Sequence, residues 1–119
     1  MKYMMFIKHS ESHRSLPVPP GVYEAMEEFV TAGLSSGLIK ETAGLKATSE
    51  GQRVRLSGGK IQVTDGPFTE AKEVVGGFAI VEVKSKAEAL EVARQFMEIH
   101  RVHWPVFEGE CELRPYDDM

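Results

Sequence analysis

Apolar side chains alternate along residues 2–9. Tyr3, Met5 and Ile7 fall on one face, and Met4 and Phe6 on the other. Both faces are apolar, which predicts a central strand covered on both sides. A polar connection rich in proline runs from His9 to Pro20. Pro20 suits a helix start, where a missing N–H costs nothing. Val22, Ala25, Met26, Phe29, Val30, Gly33 and Leu34 then recur at helical spacing. Gly37 is the expected stop, with Gly33 as the alternative. Leu38 to Ala47 reads as a less regular strand, interrupted by Gly44.

A hairpin follows. Residues 53–57 alternate, Gly58-Gly59 make a two-residue turn, and residues 60–64 alternate back. Pairing across that turn sets Leu56 opposite Ile61 and Val54 opposite Val63, with Arg53, Arg55 and Gln62 on the other face. Val75 to Lys84 is a second central strand, with Ala79, Val81 and Val83 on one side and Phe78 and Ile80 on the other. Ser85 and Glu88 form a capping box. The helix they open has an expected buried row of Ala87, Leu90, Ala93, Phe96 and Met97, and an expected end near His100. Residues 101–108, with Trp104 and Pro105, make a bulky loop. Glu110 to Arg114 is the last strand, stopped by Pro115.

The order strand, helix, strand, hairpin, strand, helix, strand predicts an α+β fold of split βαβ design with an inserted hairpin. Two helices cover only one face of such a sheet. The apolar residues of the other face need a partner, and a second copy of the chain is the simplest. A homodimer is therefore expected, with an interface above roughly 2,000 Å² in total.

At 119 residues the chain fits one domain, 1–119. Its apolar runs are strand-sized, far short of the ~20 residues of a spanning helix, so no membrane partner is expected. No basic-then-apolar leader opens the sequence. Cys111 is the single cysteine, which points to a reducing cytoplasm. The net charge of −4 argues against direct nucleic-acid binding. No cofactor is expected.

Candidate chemistry concentrates in residues 65–78. Asp65-Gly66-Pro67-Phe68 breaks regular structure, Glu70, Lys72 and Glu73 follow, and Gly76-Gly77 leads into the second central strand. Asp65 shares the parity of Val63, so its carboxylate is expected on the apolar side of the hairpin. There it would be buried at the edge of the main cleft, bonded to loop backbone or to a cation such as Lys72. Desolvation would raise its pKa and fit it for acid–base work. The plain alternative is a carboxylate that closes its own turn. Glu70, Lys72 and Glu73, with Phe68 and Arg55, are the candidate ligand-binding residues. Their alternative is a solvated loop with ion pairs worth ~0–1 kcal/mol. Gly76-Gly77 is expected to serve geometry: a bulge, or a close approach of backbone across the dimer.

This stretch resembles the signature of the DGPF branch of the YCII-related domain family. Lys2-Tyr3-Met4, Ala32-Gly33-Leu34 and Glu112-Leu113-Arg114-Pro115 resemble the family's opening, first helix end and closing strand. The resemblance implies a ferredoxin-like fold forming a dimeric α/β barrel, and little about chemistry. Two functions stay open: binding or transforming a small molecule near Asp65, or an accessory role through protein contacts. For the second, the resemblance points to an alternative sigma factor in transcription initiation.

Some members of the wider family look like candidates for a His–Asp catalytic pair with the histidine on the first helix. Residues 20–36 hold no histidine here. The partner of Asp65 must then be His9, His13, His100 or His103, and His9 is preferred because it ends a central strand. A rival site is a metal held by His9, Glu11 and His13, which would share one face of an extended chain. The glutamates around Cys111 are expected to raise its pKa, which argues against a nucleophile. Trp104 and Phe107 are expected to plug a dimer edge.

Overall fold

A computed structural model describes residues 1–117. The strands are β1 (Lys2–His9), β2 (Ile39–Gly44), β3 (Gln52–Ser57), β4 (Lys60–Asp65), β5 (Val74–Glu82) and β6 (Glu110–Pro115). The helices are α1 (Pro20–Ser36) and α2 (Lys86–His103), and Glu11–Ser15 and Thr48–Glu50 form short 3-10 turns. Four strands make one sheet in the order β2-β5-β1-β6, every neighbouring pair antiparallel. The fold is α+β and compatible with the ferredoxin-like arrangement, as the element order predicted.

Both helices pack on one face of this sheet. Its core is built from Tyr3, Met5, Ile39, Val81, Val92 and Phe96, and Met5 and Val81 are almost wholly sealed. Strand alternation turns Met4, Phe6, Phe78 and Ile80 to the face without helices, where they stay partly exposed.

The helix ends follow the local signals. Pro20 opens α1, and Gly37 closes it with φ of 81° while its N–H donates to the Leu34 carbonyl. Gly33 is a packing position instead of a stop, because a Cβ there would overlap the Ile39 side chain. Ser85 caps α2 by accepting the Glu88 N–H at 3.1 Å. Glu88 reaches back to the Lys84 N–H, one residue beyond the usual capping-box partner.

The buried row of α2 differs from expectation. Ala89, Val92, Ala93, Phe96 and His100 face the core, while Ala87 and Leu90 are exposed. Two overlapping rows run along this helix. The one that faces the sheet ends in a histidine, and a reading by hydrophobicity discounts that position.

The β3–β4 hairpin has the predicted register, with Val54 opposite Val63 and Leu56 opposite Ile61. Gly58 and Gly59 take φ of 58° and 76°, the backbone a tight primed turn demands. Its position is the surprise. The hairpin is a separate two-stranded sheet, and every residue in it is exposed. Val54, Leu56, Ile61 and Val63 keep 63–72% of their surface in water.

The base of the hairpin is held firmly. Gly66 donates its N–H to the Gly51 carbonyl at 2.9 Å. The Phe68 N–H donates to Thr48 Oγ1 at 3.1 Å, and the Arg53 guanidinium lies over the Phe68 ring at 3.9 Å. A Cβ on Gly66 would overlap the Thr48 carbonyl oxygen. We therefore expect Gly66→Ala to destabilise the chain by about 1–3 kcal/mol. At ~4–8 °C per kcal/mol for a small domain, calorimetry should show a clear fall in Tm. A Tm within 1–2 °C of the wild type would overturn this account of the motif.

Candidate functional site

A cavity of about 320 Å³ lies between the helix-side face of the sheet and the helices. Met5 and Ile7 from β1, Met26 from α1 and Phe96 from α2 form its apolar walls. Its ionisable lining is His9, His13, Arg14 and His100.

Each polar residue arrives by a local device. His9 is the last residue of β1. The β1–β5 register slips between Ile7, which faces Gly77, and Lys8, which faces Val75. Gly76 is the extra residue of that bulge, as one of the two expectations for the glycine pair had it. A Cβ on Gly76 would overlap the His9 ring at Nε2, so the bare glycine makes room for the imidazole. His9 Nδ1 lies 2.8 Å from the Ser10 carbonyl. A carbonyl only accepts, so Nδ1 is the donor in this contact, which leaves Nε2 for other partners.

The 3-10 turn after β1 folds His13 back onto the cavity. Its N–H donates to Ser10 O, and its own carbonyl accepts from Leu16. The His13 ring is 4.8 Å from Trp104, 4.9 Å from Phe107 and 5.6 Å from His9, centroid to centroid. His13 Nε2 is buried with no hydrogen-bond partner among the described residues. His100 sits on the last turns of α2, and its Nδ1 donates to the Phe96 carbonyl at 3.0 Å. Its ring lies 4.5 Å from Phe107.

Burial sets the charge state of these rings. His13 keeps 8% of its surface and His100 6%. Burial pushes the His13 pKa below the ordinary histidine value, His9 adds to the effect, and Glu108 opposes it. Burial likewise lowers His100, against the pull of the Phe96 carbonyl and with a further push from His13. Near neutral pH both are neutral imidazoles, the form that accepts a proton.

The residues singled out in the sequence distribute differently. Asp65 is exposed, not buried, and accepts from Gln52 Nε2 at 2.6 Å. Its parity with Val63 was read correctly, but that side of the hairpin is itself in water. Asp65 does not line the cavity that His9 lines. Phe68 is buried under Arg53, and Glu70 is exposed and ion-paired with Arg53. Lys72, Glu73 and Arg55 are exposed, and none of these five lines the cavity.

The extended chain assumed for a His9–Glu11–His13 metal set ends at His9. Glu11 turns away and accepts from the Thr48 N–H at 3.1 Å. Among the described residues no three potential metal ligands converge. His103 packs against Gly21 at the start of α1. Cys111 is pushed up to about 11, by burial and not by its glutamate neighbours, so it is a poor nucleophile as expected. Trp104 and Phe107 join the histidine cluster within the chain.

The Asp65-Gly66-Pro67-Phe68 motif touches the site indirectly. Gly66 and Phe68 clamp Thr48, and Thr48 holds Glu11 in the turn that carries His13. Arg14, which the sequence reading passed over, closes the same segment by donating from Nη2 to the Leu45 carbonyl at 2.6 Å. Leu45 in turn donates to the Gly76 carbonyl at 2.9 Å. No local signal marks Arg14 or joins His13 to His100, because the two histidines meet only through the fold.

The chain is similar over 82 residues to an uncharacterised protein of Rhizobium meliloti (strain 1021), at 38% identity. The match covers 69% of this chain and 62% of that relative, so the chain spans less than two thirds of its length. The model of the YCII-related domain matches residues 1–100, which contain β1, both glycines of the bulge and all but the end of α2. The chain belongs to the YCII-related domain family.

Proposed function

We propose that this chain binds a small molecule in the cavity between sheet and helices, and that His13 accepts a proton there. One observation carries the reading: a buried imidazole whose Nε2 has no partner among the described residues, in the wall of a partly open cavity. An unpartnered buried polar nitrogen costs stability, and a role in function is one reason for a fold to retain it. A proton donor in the cavity, such as an acidic O–H, would give its proton to the His13 lone pair and become the anion. His9 and His100, each with Nδ1 committed to a carbonyl, would present Nε2 to the same space. The cleft is thus read at His9 and His13, away from Asp65.

A second reading concerns the partner. In the single chain the open sheet face leaves Phe6, Phe78 and Ile80 partly exposed, and the hairpin leaves Val54, Leu56 and Ile61 exposed. Two-stranded hairpins are marginal alone, and exposed apolar faces of this extent mark interaction surfaces. A second copy of the chain is the occupant we favour, which makes the protein a homodimer and extends the fold towards a barrel. An accessory role with an alternative sigma factor would use the same surface. The single cysteine fits a cytoplasmic setting. Light scattering at micromolar concentration should give twice the chain mass of 13.2 kDa. A stable species at the chain mass would sink the dimer.

The histidines predict a pH dependence. A lowered folded pKa means the unfolded chain takes up protons first as pH falls. The contribution of His13 and His100 is whole above about pH 6.5 and is lost as pH drops through their folded pKa values. Urea melts should therefore weaken from about pH 7 to pH 5, and His100→Gln should flatten that slope. An unchanged slope in the variant would remove His100 as its source.

The bulge supplies a probe of His9. Gly76→Ala keeps an ordinary backbone conformation and pushes the imidazole out of its place. We expect a Tm loss of only a few degrees, because a side-chain tip can rotate away. We also expect weaker binding of 4-nitrophenol, whose phenolate absorbance reports proton loss in the cavity. Wild-type protein should raise that absorbance saturably at pH 6, and His13→Gln should abolish the rise. An equal rise in wild type and His13→Gln would refute proton transfer to His13.

A further inference from the structure

Among the described residues the cavity's ionisable lining is all basic: His9, His13, Arg14 and His100, with no carboxylate. The chain as a whole is acidic, with 18 Asp and Glu against 14 Lys and Arg. Composition therefore does not explain a wall of one sign. Two acids flank the lining without joining it. Glu11 accepts from Thr48 through Oε1, while its Oε2 is buried with no partner among the described residues, and Glu108 acts on His13 from outside the lining.

Arg14 stands out among the arginines. Arg53, Arg101 and Arg114 each pair with a carboxylate. Arg14 pairs with none among the described residues. Arg55 and Arg94 lack one too, but neither lines this cavity. One Arg14 nitrogen is spent on the Leu45 carbonyl, which anchors the guanidinium in the lining. Its remaining N–H groups form the planar fork that suits a carboxylate or phenolate.

Size and polarity complete the description. Met5, Ile7, Leu16, Val18, Met26 and Phe96 make the body of the cavity apolar. A dry cavity of about 150 Å³ holds benzene. The present volume of about 320 Å³ is roughly twice that, room for two fused rings or an equivalent alkyl body. We infer that the ligand is a compact apolar monoanion, an aromatic or alicyclic acid, whose single anionic group lies between Arg14 and the imidazoles of His9 and His13. The inference rests on the reading of the cavity as a binding site and adds the charge and size of what enters it. It also fits the proposed proton transfer: once an acidic O–H has given its proton to His13, the resulting anion lies beside Arg14.

Three isosteres separate the possibilities: 2-naphthoate, neutral 2-naphthamide and cationic 2-naphthylmethylammonium. Each is titrated into the full chain while the histidine ring resonances are followed by NMR. We expect 2-naphthoate to shift His9 and His13 and to bind at least about tenfold more tightly than the amide. The ammonium should bind least. Arg14→Gln should bring acid and amide to near parity without weakening the amide, which distinguishes loss of charge recognition from loss of fold. If acid, amide and ammonium bind equally to the wild type, the anion inference falls while the cavity reading stands. If none shifts a cavity resonance, both fall. A preference for the acid that survives Arg14→Gln would remove Arg14 as the group that reads the charge.

Discussion

The ladder between β1 and β5 is the constraint on which the molecule depends. These strands occupy the centre of the sheet, with β6 and β2 as their outer neighbours. Met5 and Val81 lie on its helix side with almost no exposed surface. Losing side-chain volume there would leave a cavity that neither helix is free to fill. The ladder also slips once, at Gly76. That slip turns the end of β1 so that His9 reaches the cavity, and it presents the Gly76 carbonyl to Leu45. Core and candidate site thus share one element: the ladder that closes the first opens the second.

The Asp65-Gly66-Pro67-Phe68 motif acts as a bracket. Its backbone holds the Thr48 turn, and Thr48 holds the half-buried Glu11. Glu11 lies two residues from His13 in the same 3-10 turn, so rigidity passes from the motif to the cavity wall. Its polar side chains remain at the surface. Asp65 bonds Gln52 across the hairpin, and Glu70 bonds Arg53. A loop dense in charge drew attention as a site. Its charges turn out to stabilise the root of an arm, where exposed pairs contribute little each.

Two unlike surfaces result. Inside, three imidazoles and a guanidinium border an apolar space in an otherwise acidic chain. Outside, an arm carries an alternating apolar face that nothing among the described residues covers. The first is the surface proposed for a small acid and the second the one proposed for a protein partner.

The sequence alone determined the elements, because their signals are local. Alternation defined β1 and β5, Gly58-Gly59 fixed the hairpin register, and Pro20, Gly37 and Ser85 set helix ends through backbone geometry and capping. Hydrophobic parity also foretold which faces of the central strands are apolar. Parity is relative, however. It ties Asp65 to Val63 without saying whether that side meets protein or water, and only the tertiary structure showed the hairpin projecting away from the main sheet. The same limit hid the site. His9 and His13 come from a strand end and the 3-10 turn just after it, and His100 from the last turns of a helix far along the chain. Their neighbourhood is decided by how α2 lies on the sheet, a long-range packing outcome that leaves no spacing for a sequence to display.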